Sequence, residues 1–134
     1  MKVMAFGTFD LFHKGHEYYL TEAKKLGDEL VVVVAKDKTV RELKGFFPSE
    51  DQRKRKANIE KLKFADKVVL GDDKNNWYKV IQDNSPDIIA LGYDQSFFIE
   101  SLKEKLDEFG LKTEVVRIRS FYPEKYKSSL FRKS

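Results

Sequence analysis

The stretch GTFDLFHKGH, residues 7–16, holds both histidines of the chain within four consecutive positions. His13 and His16 are three residues apart, the spacing that brings side chains to one side of a helical turn, and Gly15 leaves the path between them clear. Imidazoles donate hydrogen bonds to phosphate oxygens in the neutral and the protonated state, and a nearby polyphosphate favours the protonated one. The first-turn N–H groups of a helix that begins near His16 would face the same anion. The stretch therefore predicts a phosphate-binding site.

Two other interpretations of the histidine pair stay open on the residues alone. Together with Asp10 the histidines could bind a metal ion, although the chain has no cysteine and no further histidine to complete the ligand set. They could also be partly buried side chains with a purely structural role. Asp10 either holds its own loop through an Asx-type turn or contacts the metal or the ribose of a ligand.

Five apolar runs rich in β-branched residues alternate with helical patterns along the chain. Their hydrophobicity is continuous, as expected of strands that are covered on both faces. The runs are KVMAF (2–6), ELVVVVA (29–35), KVVLG (67–71), DIIALG (87–92) and TEVVRI (113–118), and the helical patterns cover 16–26, 37–44, 49–62, 77–84 and 96–109. This order predicts one α/β domain, residues 1–134, with the Rossmann-like three-layer architecture: a five-stranded parallel sheet with helices on both faces.

Local signals predict where some of these helices end and which side they bury. Gly27 is expected to end the first helix in a left-handed conformation, and Ser49 with Gln52 fits a capping box at the start of the third. In the short second helix, Val40 and Leu43 are expected to face inward.

The loops at the carboxyl ends of the strands are where a parallel sheet of this kind binds its ligand. The loop after the first strand begins at Gly7, which without a Cβ lets a ligand approach the backbone. The loop after the second is AKDKTVRELKG, and the one after the fourth is GYDQ, residues 92–95. The most reactive side chains of the sequence thus fall where the fold predicts a site.

The net charge of +4 is concentrated at the carboxyl-terminal end of the chain. Residues 117–134 carry a net charge of +5, and residues 1–116 carry −1. The basic run at 53–56 lies in a helical pattern and is expected to be a solvated face, so a nucleic-acid partner is not expected. The longest apolar run, LVVVVA, is too short to span a bilayer, so we expect a cytoplasmic protein without a membrane partner.

The motif G-T-F-D-x-x-H-x-G-H resembles the signature of the cytidylyltransferase-like nucleotidyltransferases, the HxGH superfamily. The resemblance implies a Rossmann-like domain that joins a nucleoside triphosphate to a phosphorylated acceptor and releases pyrophosphate, without a covalent intermediate. It implies that Mg²⁺ or another divalent cation arrives with the triphosphate. It also implies that the two histidines are catalytic and that the nucleotide contacts Gly7, Thr8, Phe9, His13, Gly15 and His16.

Beyond the motif, AKDKTVRELKG, PSEDQR, FADKVVLG and PDIIALGYDQ resemble archaeal-type FAD synthases over nearly the whole chain. These are small FMN adenylyltransferases, so the resemblance implies transfer of AMP from ATP to FMN. The glycerol-3-phosphate cytidylyltransferases, an alternative, share the motif but carry R-T-x-G-I-S-T-T where this chain has RIRSFYPEKYKSSL. A nucleotide or nucleic-acid binder without catalysis is an alternative of another class. Dimers are common in the resembled families, so a homodimer is also expected.

The second loop supplies the candidates for binding the acceptor. Lys36 and Lys44 flank the short helix on the side where an acceptor phosphate should lie, and Lys44 is also a catalytic candidate. Phe46 and Phe47 are adjacent aromatics in a loop, which suggests stacking on a flat ligand. Arg53 could also reach a phosphate, and Asp10 completes this set. For each lysine, the alternative is an ordinary surface residue.

The fourth loop and the basic tail supply the remaining nucleotide contacts. Gly92, Asp94 and Gln95 are candidates for hydrogen bonds to the nucleobase or ribose, with a plain turn as the alternative. Ser128 and Ser129 are expected to cap a final short helix and, with basic neighbours, to donate to the β- and γ-phosphates. The segment 117–134 is therefore expected to be part of the active site.

Overall fold

The structure is a computed structural model that describes residues 1–71, 78–92 and 99–118. Its strands are β1 (Lys2–Gly7), β2 (Glu29–Val34), β3 (Lys67–Leu70), β4 (Ile88–Leu91) and β5 (Glu114–Arg117). Its helices are α1 (Lys14–Lys25), α2 (Asp37–Lys44), α3 (Gln52–Glu60), α4 (Lys79–Asn84) and α5 (Ile99–Glu108). The alternation of strands and helices is the one that the apolar runs predict.

The five strands form one parallel sheet in the order β3-β2-β1-β4-β5. The order reverses at β1, because β2 and β3 lie on one side of it and β4 and β5 on the other. The pairing of β1 with β2 continues to Gly7 opposite Val34, whereas the pairing with β4 ends at Ala5 opposite Ala90. The carboxyl ends of β1 and β4 therefore separate, which opens a crevice at the point of reversal.

Both faces of the sheet are covered, which explains why the strands are continuously apolar. On one face α1 and α3 contribute Leu20, Ala23 and Ile59 to a core with alternate strand residues. On the other face α4 and α5 contribute Val80, Ile81, Leu102 and Leu106. The prediction of a Rossmann-like three-layer sandwich is confirmed.

Several predicted helix signals were wrong, each for a local reason. Helix α1 begins at Lys14, before His16. It ends at Leu26 in a right-handed conformation, and Gly27 is needed instead for space, since a Cβ there would lie 2.3 Å from the Met1 carbonyl oxygen. Leu43 is 39% exposed, because only one side of the short α2 faces the protein.

The start of α3 also differs from the predicted capping box. The carboxylate of Asp51, and not the Ser49 hydroxyl, caps the helix by accepting from the Lys54 N–H at 2.8 Å. The Gln52 side chain accepts instead from the Asp37 N–H at 2.9 Å, so it connects α3 to the first residue of α2.

Within the described residues, none of the helices has the length and apolar character needed to cross a membrane.

Candidate active site

The two imidazoles lie together at the amino-terminal end of α1. His13 is the N-cap residue, and its Nδ1 accepts a hydrogen bond from the Gly15 N–H at 3.0 Å. The Nδ1 of His16 accepts in return from the His13 N–H at 3.3 Å. The rings stack with centroids 3.8 Å apart and an angle of 22° between their planes. This arrangement is a reciprocal capping box made of two histidines.

The capping bonds determine which nitrogen of each ring faces a ligand. A neutral imidazole has one N–H donor and one acceptor nitrogen, and in both rings Nδ1 is the acceptor. The proton of each neutral ring is therefore on Nε2. His13 and His16 each present one Nε2–H donor beside the first-turn N–H groups of α1, and this is an anion-binding arrangement.

The surroundings favour the neutral form of both rings. Burial lowers the pKa of His13. Burial also lowers the pKa of His16, and together with the neighbouring His13 and the ammonium of Lys44 it brings that pKa to about 4. Before a phosphate binds, both side chains are therefore uncharged donors near neutral pH.

The two glycines of the motif make room for side chains of the motif itself. A Cβ on Gly15 would lie 2.9 Å from Cε1 of His13, so only glycine lets that ring fold back over the helix end. A Cβ on Gly7 would lie 2.7 Å from Cζ of Phe9. Gly7 was expected to admit a ligand to the backbone, but the Phe9 ring occupies this space.

Phe9 supports the site from below. Its φ angle of 55° turns the ring inward, and the side chain is only 3% exposed in the core under the motif. The ring edge packs against His16, with centroids 5.5 Å apart and planes at 80°, and Phe12 packs against His16 from 5.5 Å. The Phe9 side chain therefore supports His16, and a contact of Phe9 with the nucleotide stays a prediction.

Lys44, at the end of α2, lies next to the motif as predicted. Its Nζ donates to the Thr8 hydroxyl at 3.2 Å, and its charge contributes to the low pKa of His16. Lys36 is the residue that precedes α2, at the carboxyl end of β2, and its carbonyl accepts from the Val40 N–H. The structure therefore brings Lys44 to the histidines and places Lys36 at the other end of the same helix.

Asp10 holds two loops together, and its contact with an acceptor stays a prediction. Its two carboxylate oxygens accept from the backbone N–H groups of Ser49 at 2.8 Å and Glu50 at 2.9 Å. Burial alone would raise the pKa of Asp10, but these two donors, followed by the charges of Arg55 and Lys44, outweigh it and lower the pKa. The carboxylate is thus ionised and already paired.

Arg55 is the residue of the site that the sequence did not reveal. The run 53–56 was expected to be solvated, but the Arg55 side chain is fully buried. It donates through Nη1 to the Thr8 carbonyl at 2.8 Å, through Nε to the Glu50 carbonyl at 2.9 Å, and through Nη2 to Asp37 at 2.7 Å. The available signal was its spacing of four residues from the buried Ile59, which places both on the inner side of α3.

Phe46 and Phe47 follow the end of α2 and face solvent. Gly45 ends the helix with a φ of 84°, and the two rings are 60% and 63% exposed. The guanidinium of Arg41 lies over the Phe47 ring at 6.0 Å from its centroid. Arg53 is exposed in the first turn of α3.

The fourth loop is described only at its start. The Gly92 carbonyl accepts from Nη1 of Arg117 at 2.7 Å, so the end of β5 is tied to the beginning of this loop. Asp94, Gln95, Ser128 and Ser129 lie outside the described residues. Among residues 1–71, 78–92 and 99–118, no group of three or more His, Cys, Asp or Glu side chains is placed to hold a metal ion.

Comparisons with known proteins give consistent similarities. A family model described as cytidylyltransferase-like matches residues 4–134. An FAD synthase of Ferroglobus placidus is 50% identical over 119 residues, which are 89% of this chain and 76% of that protein. An FAD synthase of Thermoplasma acidophilum is 45% identical over 133 residues, 99% of this chain and 92% of that one. The crystal structure of a protein named for lipopolysaccharide core biosynthesis, from Thermoplasma volcanium, is similar with a TM-score of 0.84 and 45% identity, covering 90% of this chain and 98% of that one.

Proposed function

The chain belongs to the cytidylyltransferase-like family, and from this premise we propose that it is an FAD synthase, which transfers AMP from ATP to FMN and releases pyrophosphate. The choice of FMN as acceptor and ATP as nucleotide rests on one observation: proteins named FAD synthase are 45–50% identical to this chain over most of its length. The histidine pair at the start of α1 is consistent with the same class of reaction, because it offers two donors to a phosphate.

The reaction needs alignment and charge stabilisation more than an activating base. A phosphate oxygen of FMN attacks the α-phosphorus of ATP, a new P–O bond forms, and the bond to the β-phosphate breaks so that pyrophosphate leaves with the electron pair. The FMN phosphate is already an anion near neutral pH, so no proton has to be removed first. The protein must hold two anions in line and stabilise the charge that develops on the transferred and departing groups.

In this proposal His13 and His16 donate from Nε2 to the oxygens of the α-phosphate and the leaving pyrophosphate. Because both rings are neutral donors, they can stabilise charge without losing a proton to the substrate. Lys44 supplies the positive charge that the neutral imidazoles lack. Its hydrogen bond to the Thr8 hydroxyl holds it next to the motif loop. A divalent cation, Mg²⁺ in our proposal, arrives with the triphosphate and neutralises part of its charge.

The exposed aromatic pair is the proposed platform for the flavin. Phe46 and Phe47 directly follow Lys44 and Gly45, so a ring system stacked on them would bring its phosphate towards Lys44. Lys36 and Arg53 are the further proposed contacts to the acceptor. The preference for a flat aromatic acceptor over a small alcohol phosphate would then come from this platform.

The nucleotide contacts in the fourth loop and the tail remain part of the proposal. Asp94 and Gln95 would bind the base or ribose, and Ser128 and Ser129 would donate to the triphosphate. Support comes from the bond of Arg117 to the Gly92 carbonyl, since it joins the strand that leads into the tail to the strand that leads into the fourth loop. In this proposal residues 1–134 form one domain, and 117–134 completes its active site.

A matrix of substrates tests the proposal. Pyrophosphate release would be measured for the pure protein with Mg²⁺ and either ATP or CTP, each with FMN or glycerol 3-phosphate. We expect release only with ATP and FMN. Release only with CTP and glycerol 3-phosphate would assign the chain to the cytidylyltransferase branch, and nucleotide binding without release from any pair would indicate a non-catalytic binder.

A further inference from the structure

Tyr19 of α1 reaches across to the sheet at the point where its strands separate. The Tyr19 hydroxyl accepts a hydrogen bond from the Phe6 N–H of β1 at 3.1 Å and donates one to the Ala90 carbonyl of β4 at 2.5 Å. The β1–β4 pairing ends at Ala5 opposite Ala90, so this bridge lies on its last rung. A helix side chain thus takes part in the sheet at the edge of the crevice.

The Tyr19 hydroxyl is protonated near neutral pH, as its hydrogen bond to Ala90 requires. Burial raises the pKa of the Tyr19 hydroxyl above its usual value. The hydroxyl therefore keeps its proton and remains the donor to Ala90. Because Phe6 immediately precedes Gly7, the last residue of β1, the bridge holds β1 just before the motif loop starts.

The ring of the same tyrosine is in contact with the motif from below. It stacks on Phe9 with centroids 6.3 Å apart and planes at 21°, and the Phe9 edge contacts His16 at 5.5 Å. The three rings therefore form a chain of contacts, one stacked and one edge-on, from the sheet to the His16 imidazole. One side chain therefore contacts both the boundary of the crevice and the support of His16.

We propose that Tyr19 is a positioning residue for the nucleotide half of the site: its hydroxyl sets the separation of β1 and β4, and its ring, through Phe9, orients His16. The inference rests on the proposed function for its kinetic consequences. Its structural consequences concern the histidines and are independent of turnover.

The two parts of the side chain can be removed separately. Tyr19→Phe keeps the stack but leaves the Phe6 N–H and the Ala90 carbonyl without the bridging hydroxyl, so the motif loop and the start of the fourth loop change their separation. Tyr19→Leu removes the bridge and the flat surface under Phe9. Tyr18→Phe is the matched control, because it deletes the hydroxyl of the neighbouring tyrosine on the same helix.

Steady-state kinetics of FAD formation test the hydroxyl. For Tyr19→Phe we expect KM for ATP to rise about five-fold, because the strands on the two sides of the crevice lose their fixed separation, while KM for FMN and kcat stay within about two-fold. Tyr18→Phe should match the wild type. An unchanged KM for ATP, or equal changes in KM for both substrates, would overturn the proposal, because a general loss of structure does not select the nucleotide.

Nitrogen NMR of the imidazoles tests the ring. The chain has only two histidines, so the spectrum of His13→Asn is enough to assign the ¹⁵N shifts to His13 and to His16. The wild type and Tyr19→Phe should show both rings protonated on Nε2, and Tyr19→Leu should lose this pattern for His16 together with at least about a ten-fold fall in kcat. A folded Tyr19→Leu protein with the wild-type pattern and kcat would contradict the role of the ring.

Failure of this inference and failure of the proposed function are distinguishable. If the wild type forms no FAD, the proposed function is wrong, and the NMR pattern with ATP affinity by calorimetry then tests Tyr19 alone. If Tyr19→Leu does not fold, the ATP affinity of Tyr19→Phe is compared with that of the control Tyr18→Phe. A weaker affinity in Tyr19→Phe supports the proposal, and equal affinities overturn it.

Discussion

His13 has two roles in the proposed reaction: it caps α1 and it donates to a phosphate. Substitutions can remove these roles separately, because different ring nitrogens perform them. Nδ1 caps α1 by accepting from the Gly15 N–H, while Nε2–H, on the other side of the ring, is the proposed donor to a phosphate. Asparagine can accept the same cap bond but offers no donor at the position of Nε2. The distinction applies to this residue because it is the N-cap and not a residue within the helix.

We predict that His13→Asn keeps the stability of the wild type and lowers kcat by about 10² to 10⁴, as expected for a lost donor at the transferred phosphate. His13→Ala should lower kcat similarly and also reduce the free energy of unfolding by about 1 kcal/mol, because the cap is lost. Urea unfolding and FAD formation measure the two effects. Normal turnover in His13→Asn would exclude the chemical role of the ring.

The neutral state of His16 predicts a pH dependence of stability. Its pKa in the folded protein, about 4, is below the usual value of 6.5, so between these values the unfolded chain binds the proton and the folded protein does not. The free energy of unfolding should therefore fall as the pH is lowered from 6.5 to 4. We expect this fall to be smaller in His16→Gln, which cannot bind a proton, when both proteins are unfolded in urea across this range. Equal pH profiles of the two proteins would show that folding does not lower the pKa of His16.

The exposed aromatic pair gives a prediction about acceptor selectivity. Phe46→Ser and Phe47→Ser should each raise KM for FMN by about ten-fold, from lost stacking, with KM for ATP unchanged. Both rings are more than half exposed, so the melting temperature should not fall. Leu43→Ser, a partly exposed apolar residue of α2, is the control for a general loss of apolar surface. Equal effects in all three variants would contradict a specific platform.

Among the elements, α3 connects the loops of the site through one buried cation. The three bonds of Arg55 join the motif loop at Thr8, the start of α2 at Asp37 and the loop before α3 at Glu50. The planar guanidinium can direct its donors to three partners at once, and an ammonium group cannot do so in the same geometry. Together with the two bonds of Asp10, this side chain therefore holds the motif loop against the loop before α3.

We predict that Arg55→Lys lowers the free energy of unfolding by about 3 kcal/mol, because it leaves buried acceptors and the Asp37 carboxylate without their partners. Lys54→Ala, at the exposed position next to it, should change stability by less than about 0.5 kcal/mol. Urea unfolding of the two variants gives the comparison. A stability loss in Arg55→Lys as small as that of the control would mean that the network is not required for folding.

The sequence predicted the elements better than it predicted their ends and contacts. Strands β1 to β5 were predicted from continuous apolar runs, because a strand that is buried on both faces consists of consecutive apolar residues. The capping of α3 by Asp51 and the space needed at Gly27 depend on neighbours distant in the chain, so local patterns at Ser49 and Gly27 gave wrong predictions.

The same limit applies to the site. The motif pattern was sufficient to place His13 and His16 together, and the predicted loop at the carboxyl end of β2 was sufficient to bring Lys44 to the same edge of the sheet. The motif pattern could not reveal that Asp10 accepts hydrogen bonds from two backbone N–H groups or that Arg55 is buried. Both facts depend on how the 46–50 loop folds over the motif.

At the scale of the whole molecule, the residues that form the sheet and its cores can be compared with the basic segment 117–134. Among the residues that the structure describes, 1–71, 78–92 and 99–118, five strands form the sheet and two cores cover its faces, with Ile118 as a buried member of one core. The net charge of +5 lies in 117–134. Folding is therefore expected to depend on the first part, and binding of the triphosphate on both. Homodimerisation stays a prediction from the resemblance.

We predict that a chain ending at Ile118 folds with a cooperative thermal transition and loses at least about 100-fold in kcat/KM for ATP, because the donors proposed for the triphosphate are removed. Circular dichroism and FAD formation measure the two properties. Replacement of Ser128 and Ser129 by alanine in the full chain is the finer test of the same segment. Full activity of the shortened chain would exclude 117–134 from the active site.

The central claim is that this chain itself joins AMP to FMN, and product analysis under single-turnover conditions tests it most directly. The pure protein, in excess over ATP labelled at the α-phosphate, would be mixed with FMN and Mg²⁺, and the products separated by chromatography. We expect the label to appear in FAD in an amount equal to the pyrophosphate released, and we expect neither product from a folded His16→Ala variant. Label that stays in ATP, or that appears in AMP without FAD, would contradict the central claim.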